Sequence, residues 1–323
     1  MDVCPRCKTN GFIKLSTGSV CYNCGFEECL IQETALNISQ GNTQDIEKIK
    51  RANQIALNKF KYHLNKNDTN LGIKYFKEER KLTDETIKKF QLGFSEKNGA
   101  GINYKLQDIG YSEEEMLSTG LVGKGNKYYD KFWNRVMFPI FDVDGNIIGF
   151  GGRRLGENDS PKYINSPETQ IFHKKDNLFA FNFAKENPFN SVILCEGYMD
   201  VIALHQAGIT NAIAALGTAL TKEQAKLIKQ YKTTVYIAFD SDEAGTIATK
   251  RAIPILNEAG LKIKRIDLGS FKDPDELIKA EGVGSFKRRI KLATSADKFL
   301  YTVSDNKTAV LKKSILEKIK GED

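Results

Sequence analysis

Histidine is scarce in this chain, three residues in 323. His63, His173 and His205 each stand without another ligand-type residue at metal-binding spacing, so all three read as structural, or at best as neighbours of a phosphate, and a histidine-built metal centre is set aside. No apolar run is long enough to span a bilayer. No apolar stretch precedes the paired cysteines reached by residue 7, which removes a secretory signal from the expectation. Internal repeats, low-complexity tracts and coiled-coil heptads are missing too. These absences leave a cytoplasmic, reduced chain with no membrane partner, whose six cysteines are not the framework of a disulfide fold. The length allows two or three domains, and 41% hydrophobic residues supply ordinary cores.

Lys and Arg outnumber Asp and Glu by 48 to 41, and the pI of about 8.9 suits a polyanionic partner. The excess is uneven. Between Ile46 and Gly93, twelve basic residues stand against six acidic ones, most of the net charge of +7. A solvated helical face and a nucleic-acid contact explain that stretch equally well.

Cys4, Cys7, Cys21 and Cys24 are spaced C-x2-C-x13-C-x2-C, two knuckles able to close a tetrahedron of thiolates around one zinc ion. Four thiolates leave no open position, so this zinc is structural. With strands expected at Phe12 to Leu15 and Val20 to Tyr22, residues 1–30 read as a zinc ribbon that folds only with its metal. Its task is then to present a surface, with Lys8, Lys14 and Tyr22 as candidates for phosphates and bases. Cys29 and Cys195 fall outside the spacing and are spectators. Residues 31–45 have linker composition.

Beyond the linker, helices are expected at Ile46 to Leu64 and Leu71 to Glu79. Thr83 is the N-cap of a third helix, and Ser112 with Glu115 forms a capping box for a fourth. Val136 to Phe141 and Ile147 to Phe150 read as a hairpin turning at Asp144-Gly145-Asn146. From Ser191 onward strands and helices alternate: strands at Val192 to Cys195, Ala212 to Ala215, Val235 to Phe239 and Ile263 to Ile266, with helices at Met199 to Gln206, after Thr221, and at Ala244 to Ala259 with Pro254 as a kink. Such alternation means a parallel sheet, whose ligand sites lie beyond the carboxyl ends of the strands.

Acidic residues follow three of those strands: Glu196 and Asp200, Asp240 and Asp242, and Asp273 and Asp275. Carboxylates gathered at one edge repel one another unless a cation sits among them. Oxygen-only donors suit Mg2+ or Mn2+, and magnesium shares its shell with phosphates, which points to nucleotides or a nucleic-acid backbone. The alternative for any one of these acids is a helix N-cap.

Together, Glu196-Gly197-Tyr198-Met199-Asp200, Asp240-Ser241-Asp242 and Asp273-Pro274-Asp275 resemble the Toprim domain shared by primases and topoisomerases. Upstream, Arg135-Val136-Met137-Phe138-Pro139-Ile140, Gly149 to Arg153 and Pro161 to Thr169 are similar to the basic subdomain of bacterial DnaG-type primases. The resemblance runs from about Ile46 to Ile290 and keeps the motifs in order, with a zinc ribbon ahead of them. It implies an α/β Toprim domain, a mostly parallel sheet flanked by helices, at 191–280. An α+β basic subdomain at 46–190 precedes it, and a C-terminal helical segment and tail at 281–323 follows.

The implied activity is DNA-dependent RNA primase: synthesis of short RNA primers on single-stranded DNA from ribonucleoside triphosphates, leaving an RNA–DNA hybrid. By this resemblance Glu196, Asp240 and Asp242 hold the magnesium ions, Asp273 and Asp275 bind a further ion or its waters, and Asp200 supports them. Arg135, Arg153, Lys162, Tyr163 and Asn165 match the template- and nucleotide-contacting positions. Two departures stand out: a four-cysteine ribbon with a short gap, and only about thirty residues, Leu292 to Asp323, after the core. A phage or mobile-element version without the C-terminal helicase-binding domain, or a truncated chain, would explain both, so docking to a replicative helicase is not carried over. A Toprim nuclease or topoisomerase, and a non-catalytic DNA-binding accessory factor, are the competing readings.

Overall fold

The computed structural model describes residues 43–66, 70–97, 99–156, 161–217 and 219–301, together with the backbone of four short strands near the N-terminus. Those strands, β1 (Asp2–Val3), β2 (Asn10–Leu15), β3 (Gly18–Cys21) and β4 (Glu27–Cys29), pair antiparallel in chain order. Cys4, Cys7, Cys24, Lys8 and Tyr22 lie outside the described residues, as do the side chains of Lys14 and Cys21.

Helix α1 (Thr43–Asn65) starts inside the stretch expected to be linker. The expected helix over 71–79 divides. Three residues, α2 (Leu71–Ile73), are α-helical, with the Asn70 side chain accepting the Ile73 N–H at 2.9 Å, and Lys74–Glu79 then widen into a π turn. Helix α3 (Asp84–Lys89) is capped by Thr83 as its sequence predicts. After β5 (Gly93–Ser95) and α4 (Ile102–Asp108), α5 (Glu113–Ser118) carries the full reciprocal box of Ser112 and Glu115. A small hairpin, β6 (Val122–Lys124) with β7 (Tyr128–Asp130), leads to β8 (Arg135–Phe141) and β9 (Ile147–Arg154). Their turn is closed by the Asp142 carboxylate, which accepts the N–H groups of Asp144 and Asn146 at 2.9 and 2.8 Å, and Gly145 adopts φ +86°. Strand β9 runs four residues beyond the expected end. With β10 (Tyr163–Asn165) it completes an antiparallel sheet ordered β10-β9-β8-β5, and α6 (Phe181–Glu186) follows.

Strand β8 is buried along all seven residues because its two faces serve two cores. Met137 and Phe141 pack with Phe60 of α1 and Phe150; Val136, Phe138 and Ile140 pack with residues of the second half. That alternation follows from the two-residue period of a strand.

The second half is a parallel sheet with helices on both faces: β11 (Ser191–Cys195), α7 (Tyr198–Gln206), β12 (Ala212–Ala214), α8 (Lys222–Tyr231), β13 (Thr234–Ile237), α9 (Glu243–Glu258), β14 (Lys262–Arg265) and α10 (Pro274–Leu292). Strand order is β12-β11-β13-β14, all parallel. The expected final strand is not final, because β15 (Thr294–Ser295) adds an antiparallel edge beside β14. Ile193 and Cys195 of β11 face α7 and α10, while Val192 and Leu194 face α8 and α9. Burial on both faces explains why these strands read as continuous apolar runs. Helix α10 bends at Gly282, where the backbone takes φ 74°. Among the described residues, no helix is long and apolar enough to cross a membrane.

Candidate active site

A cleft of about 330 Å³ opens where the carboxyl ends of β11, β13 and β14 meet the β9–β10 edge of the first half. Glu196 directly follows β11, Asp240 and Asp242 follow β13, and Asp273 and Asp275 follow β14. Glu196 and Asp240 are joined directly, the Asp240 N–H donating to Glu196 Oε1 at 3.0 Å. Ser241 ties this loop to the next strand's loop, its N–H donating to the Lys272 carbonyl at 2.8 Å and its hydroxyl to the Phe271 carbonyl at 2.7 Å.

Gly245 makes the tight junction possible. A Cβ there would lie 2.1 Å from the Asp240 carbonyl oxygen and 2.8 Å from Glu196 Oε1, so only glycine lets α9 start this close to the acids.

The capping alternative that the sequence left open is present for two of these acids. Asp242 caps α9 through the Gly245 N–H at 2.9 Å, and Asp273 caps α10 through the Glu276 N–H at 2.8 Å. The electrostatics are nevertheless those of crowded carboxylates. Burial, followed by the charges of Asp273 and Asp242, lifts the Asp240 carboxyl to about 6. Glu196 is raised by burial and by Asp240. Asp200, buried in α7 and accepting the Gly197 N–H at 3.2 Å, is pushed well above the usual carboxylate range by burial and then by Asp273 and Asp240.

Among the described residues, no three ligand-type side chains stand close enough to hold an ion as placed. The donor set is all oxygen, it repels itself, and the Asp240 side chain makes no hydrogen bond to any described residue, which fits a hard divalent cation.

Asp275 has different surroundings. It is buried, and its Oδ2 accepts Arg80 Nη1 at 3.0 Å and Lys279 Nζ at 2.8 Å. Two cations already answer its charge.

The opposite wall is basic. Exposed Lys162 has its ammonium pKa lowered by partial burial and then by Arg153, Arg80, Lys272 and Arg154, so cations are crowded here as acids are across the cleft. The Arg153 guanidinium lies 4.3 Å from the Tyr75 ring centroid. Tyr163, 39% exposed, borders the cleft, its ring packed near Phe138 and Tyr198.

Two expected contact residues are placed otherwise. Arg135 is only 3% exposed and donates to the carbonyls of Gly152 at 3.1 Å and Pro161 at 3.0 Å, tying β8 to the segment that carries Lys162. Asn165 lines the cleft but spends its amide across it: Nδ2 donates to the Leu216 carbonyl at 2.9 Å, and Oδ1 accepts the Tyr198 hydroxyl at 2.6 Å.

Arg80 lines the cleft as well, held by the buried Tyr75 hydroxyl, although nothing in the sequence marks either residue for this site. Arg80 sat inside the basic stretch already noted, where nothing local separates it from its neighbours.

Comparison with known proteins places this geometry in a family. Residues 59–185 match the family model described as the DNA primase catalytic core, N-terminal domain, and residues 193–278 match the one described as Toprim-like. The DNA primase of Clostridium acetobutylicum is 45% identical over 237 residues, covering 73% of this chain and 40% of that protein. The structure of a DnaG primase catalytic domain bound to ssDNA is 33% identical, with a TM-score of 0.72 over 81% of this chain and 84% of that one. The Aquifex aeolicus primase structure, described as zinc binding and RNA polymerase domains, is 31% identical, with a TM-score of 0.73 over 94% and 81%. The chain spans about half the length of the curated relatives it matches. With both halves of the catalytic core matched in order, and the acids and cations of those halves meeting at one cleft, the chain belongs to the DnaG-type DNA primases.

Proposed function

We propose that the chain synthesises short RNA primers on single-stranded DNA, joining ribonucleoside triphosphates by attack of a 3′-hydroxyl on an α-phosphate and leaving an RNA–DNA hybrid. One observation carries this reading: cations from the first half and carboxylates from three strand ends of the second line a single cleft. A template is supported by the related catalytic domain described as bound to ssDNA.

Glu196, Asp240 and Asp242 are assigned to the divalent ions, Mg2+ or Mn2+, and Asp273 to the rim of that group. Bound there, such ions would supply positive charge against the negative charge that develops on phosphoryl oxygens. The chain's own residues prepare the geometry. Lys162 and Arg153 offer positive charge to phosphates, and the partly exposed Tyr163 ring is available to stack on a base. Arg135 and Asn165 act one step back: Arg135 ties the 161–165 segment to β8, and Asn165 holds it against the second half. Asp200 steadies the start of α7 behind Glu196 through the Gly197 N–H. Cys4, Cys7, Cys21 and Cys24 hold one structural zinc, and that ribbon presents Lys8, Lys14 and Tyr22 to the template.

The test is purified protein with single-stranded template, labelled ribonucleotides and Mg2+ or Mn2+. Labelled short RNA is the expected product. Template cleavage in its place would establish a Toprim nuclease, and binding without turnover an accessory factor; either outcome overturns the proposal.

A further inference from the structure

We propose that Asp275 is a positioning residue and not a metal ligand: it fixes Arg80 across the boundary between the two halves, so that the guanidinium's remaining N–H groups receive the polyphosphate of the incoming nucleotide. The inference rests on the reading of the cleft just given and names one working part of it.

The contrast with Asp240 is the starting point. Asp240 is half-buried, faces other acids and makes no side-chain hydrogen bond to a described residue, an arrangement that calls for a cation. Asp275 is 5% exposed and has its cations already, Arg80 at 3.0 Å and Lys279 at 2.8 Å on the same oxygen. Lys279 lies one turn along α10 and holds Asp275 from its own helix. Arg80 comes from a segment 195 residues away in sequence.

The route that brings Arg80 there is the π turn. Its wider turn lets the Arg80 N–H bond the Tyr75 carbonyl five residues back at 3.0 Å, where an α-helix would select the residue four back. The shift sets Arg80 over Tyr75, whose hydroxyl accepts Arg80 Nε at 2.8 Å and whose ring lies 5.3 Å from the guanidinium carbon. Tyr75 is fully buried, and its ring also carries Arg153 at 4.3 Å. Of the five N–H donors of a guanidinium, Tyr75 and Asp275 take two. The others belong to a side chain that is about a quarter exposed and lines the cleft beside Lys162. Planar donors, fixed on two sides and grouped with further cations, fit an extended polyanion; a nucleoside without phosphates gives them nothing to bind.

The experiment uses the full chain and two equilibrium probes, Mn2+ followed by electron paramagnetic resonance and a fluorescent nucleoside triphosphate. Asp275→Asn is expected to keep wild-type Mn2+ affinity and to weaken the nucleoside triphosphate about tenfold, the loss of a charge-assisted hydrogen bond. Asp240→Asn is expected to lose Mn2+. On an Arg80→Ala background, Asp275→Asn is expected to cost no further affinity, because both changes remove one device. Should Asp275→Asn fail to fold, Arg80→Met/Asp275→Asn removes the pair together and must still bind Mn2+ normally. Loss of Mn2+ in Asp275→Asn, or additive losses in the double variant, overturns the positioning role while leaving the cleft reading intact. A wild-type chain that binds neither probe overturns the cleft reading itself and this inference with it.

Discussion

Asp240→Asn is expected to make the metal-free protein more stable at neutral pH while removing nucleotidyl transfer. The Asp240 carboxyl is raised from 3.8 to about 6, first by burial and then by Asp273 and Asp242. A carboxyl raised on folding favours the native state below its unfolded pKa, and that advantage is lost as pH rises through the folded value. Metal-free wild type therefore loses stability between about pH 4 and pH 6 on account of this group, and above that range carries the whole cost. A shift of roughly two units corresponds to ~3 kcal/mol, which solvent contact at a half-buried group reduces to ~1–2 kcal/mol. Asparagine keeps the shape and drops the charge. For a chain of this size the gain is roughly 2–6 °C in Tm. Thermal unfolding with chelator at about pH 7.5 and about pH 4 measures it. The variant is expected to melt higher at the first pH and close to wild type at the second, and added Mg2+ is expected to raise wild type alone. Equal melting temperatures at neutral pH, or a gain that persists unchanged at the acid pH, would refute the argument that Asp240 is held against its own charge.

Gly245→Ala, whose new methyl meets the Asp240 carbonyl at 2.1 Å, is expected to displace the acids and lower primer synthesis about 100-fold with the fold retained by circular dichroism. Tyr198→Phe leaves Asn165 Oδ1 without its donor and is expected to cost about 1–2 kcal/mol in urea unfolding; an unchanged midpoint would show that the Tyr198–Asn165 bond does not join the halves. Cys21→Ser is expected to release zinc to a chromogenic chelator and to reduce template-selective initiation more than nucleotide binding, and equal loss of both would count against a recognition role for the ribbon.

Local signals were legible because the physics behind them is local. Thr83, Ser112 with Glu115, and Thr221 with Gln224 each cap the helix that their spacing announces. The apolar run ending at Cys195 could be read as a strand, and so Glu196 could be placed at its carboxyl end. What the sequence hid depends on distance. Arg80 and Asp275 meet across 195 residues, and no periodicity marks one arginine among many basic neighbours as the one that crosses between halves. Arg135 and Asn165 carry the residue types of phosphate and base contacts, yet buried carbonyls and a tyrosine hydroxyl took their donors and acceptors first. The π turn at 74–79 escaped for a different reason: its apolar spacing is that of an α-helix, and one extra residue in the turn leaves no mark on composition.

Strand β8 sends Met137 and Phe141 into one core and Val136, Phe138 and Ile140 into another that reaches Ile193, Tyr198 and Ile202. A chain built this way has no greased seam on which its two halves can slide. The cleft between them is walled by elements of one continuous apolar core, so gathering its acids around a cation is a matter of side-chain movement alone. A ligand spanning both walls would then find the backbone of the two halves already side by side, and little of its binding energy would be diverted into bringing them together.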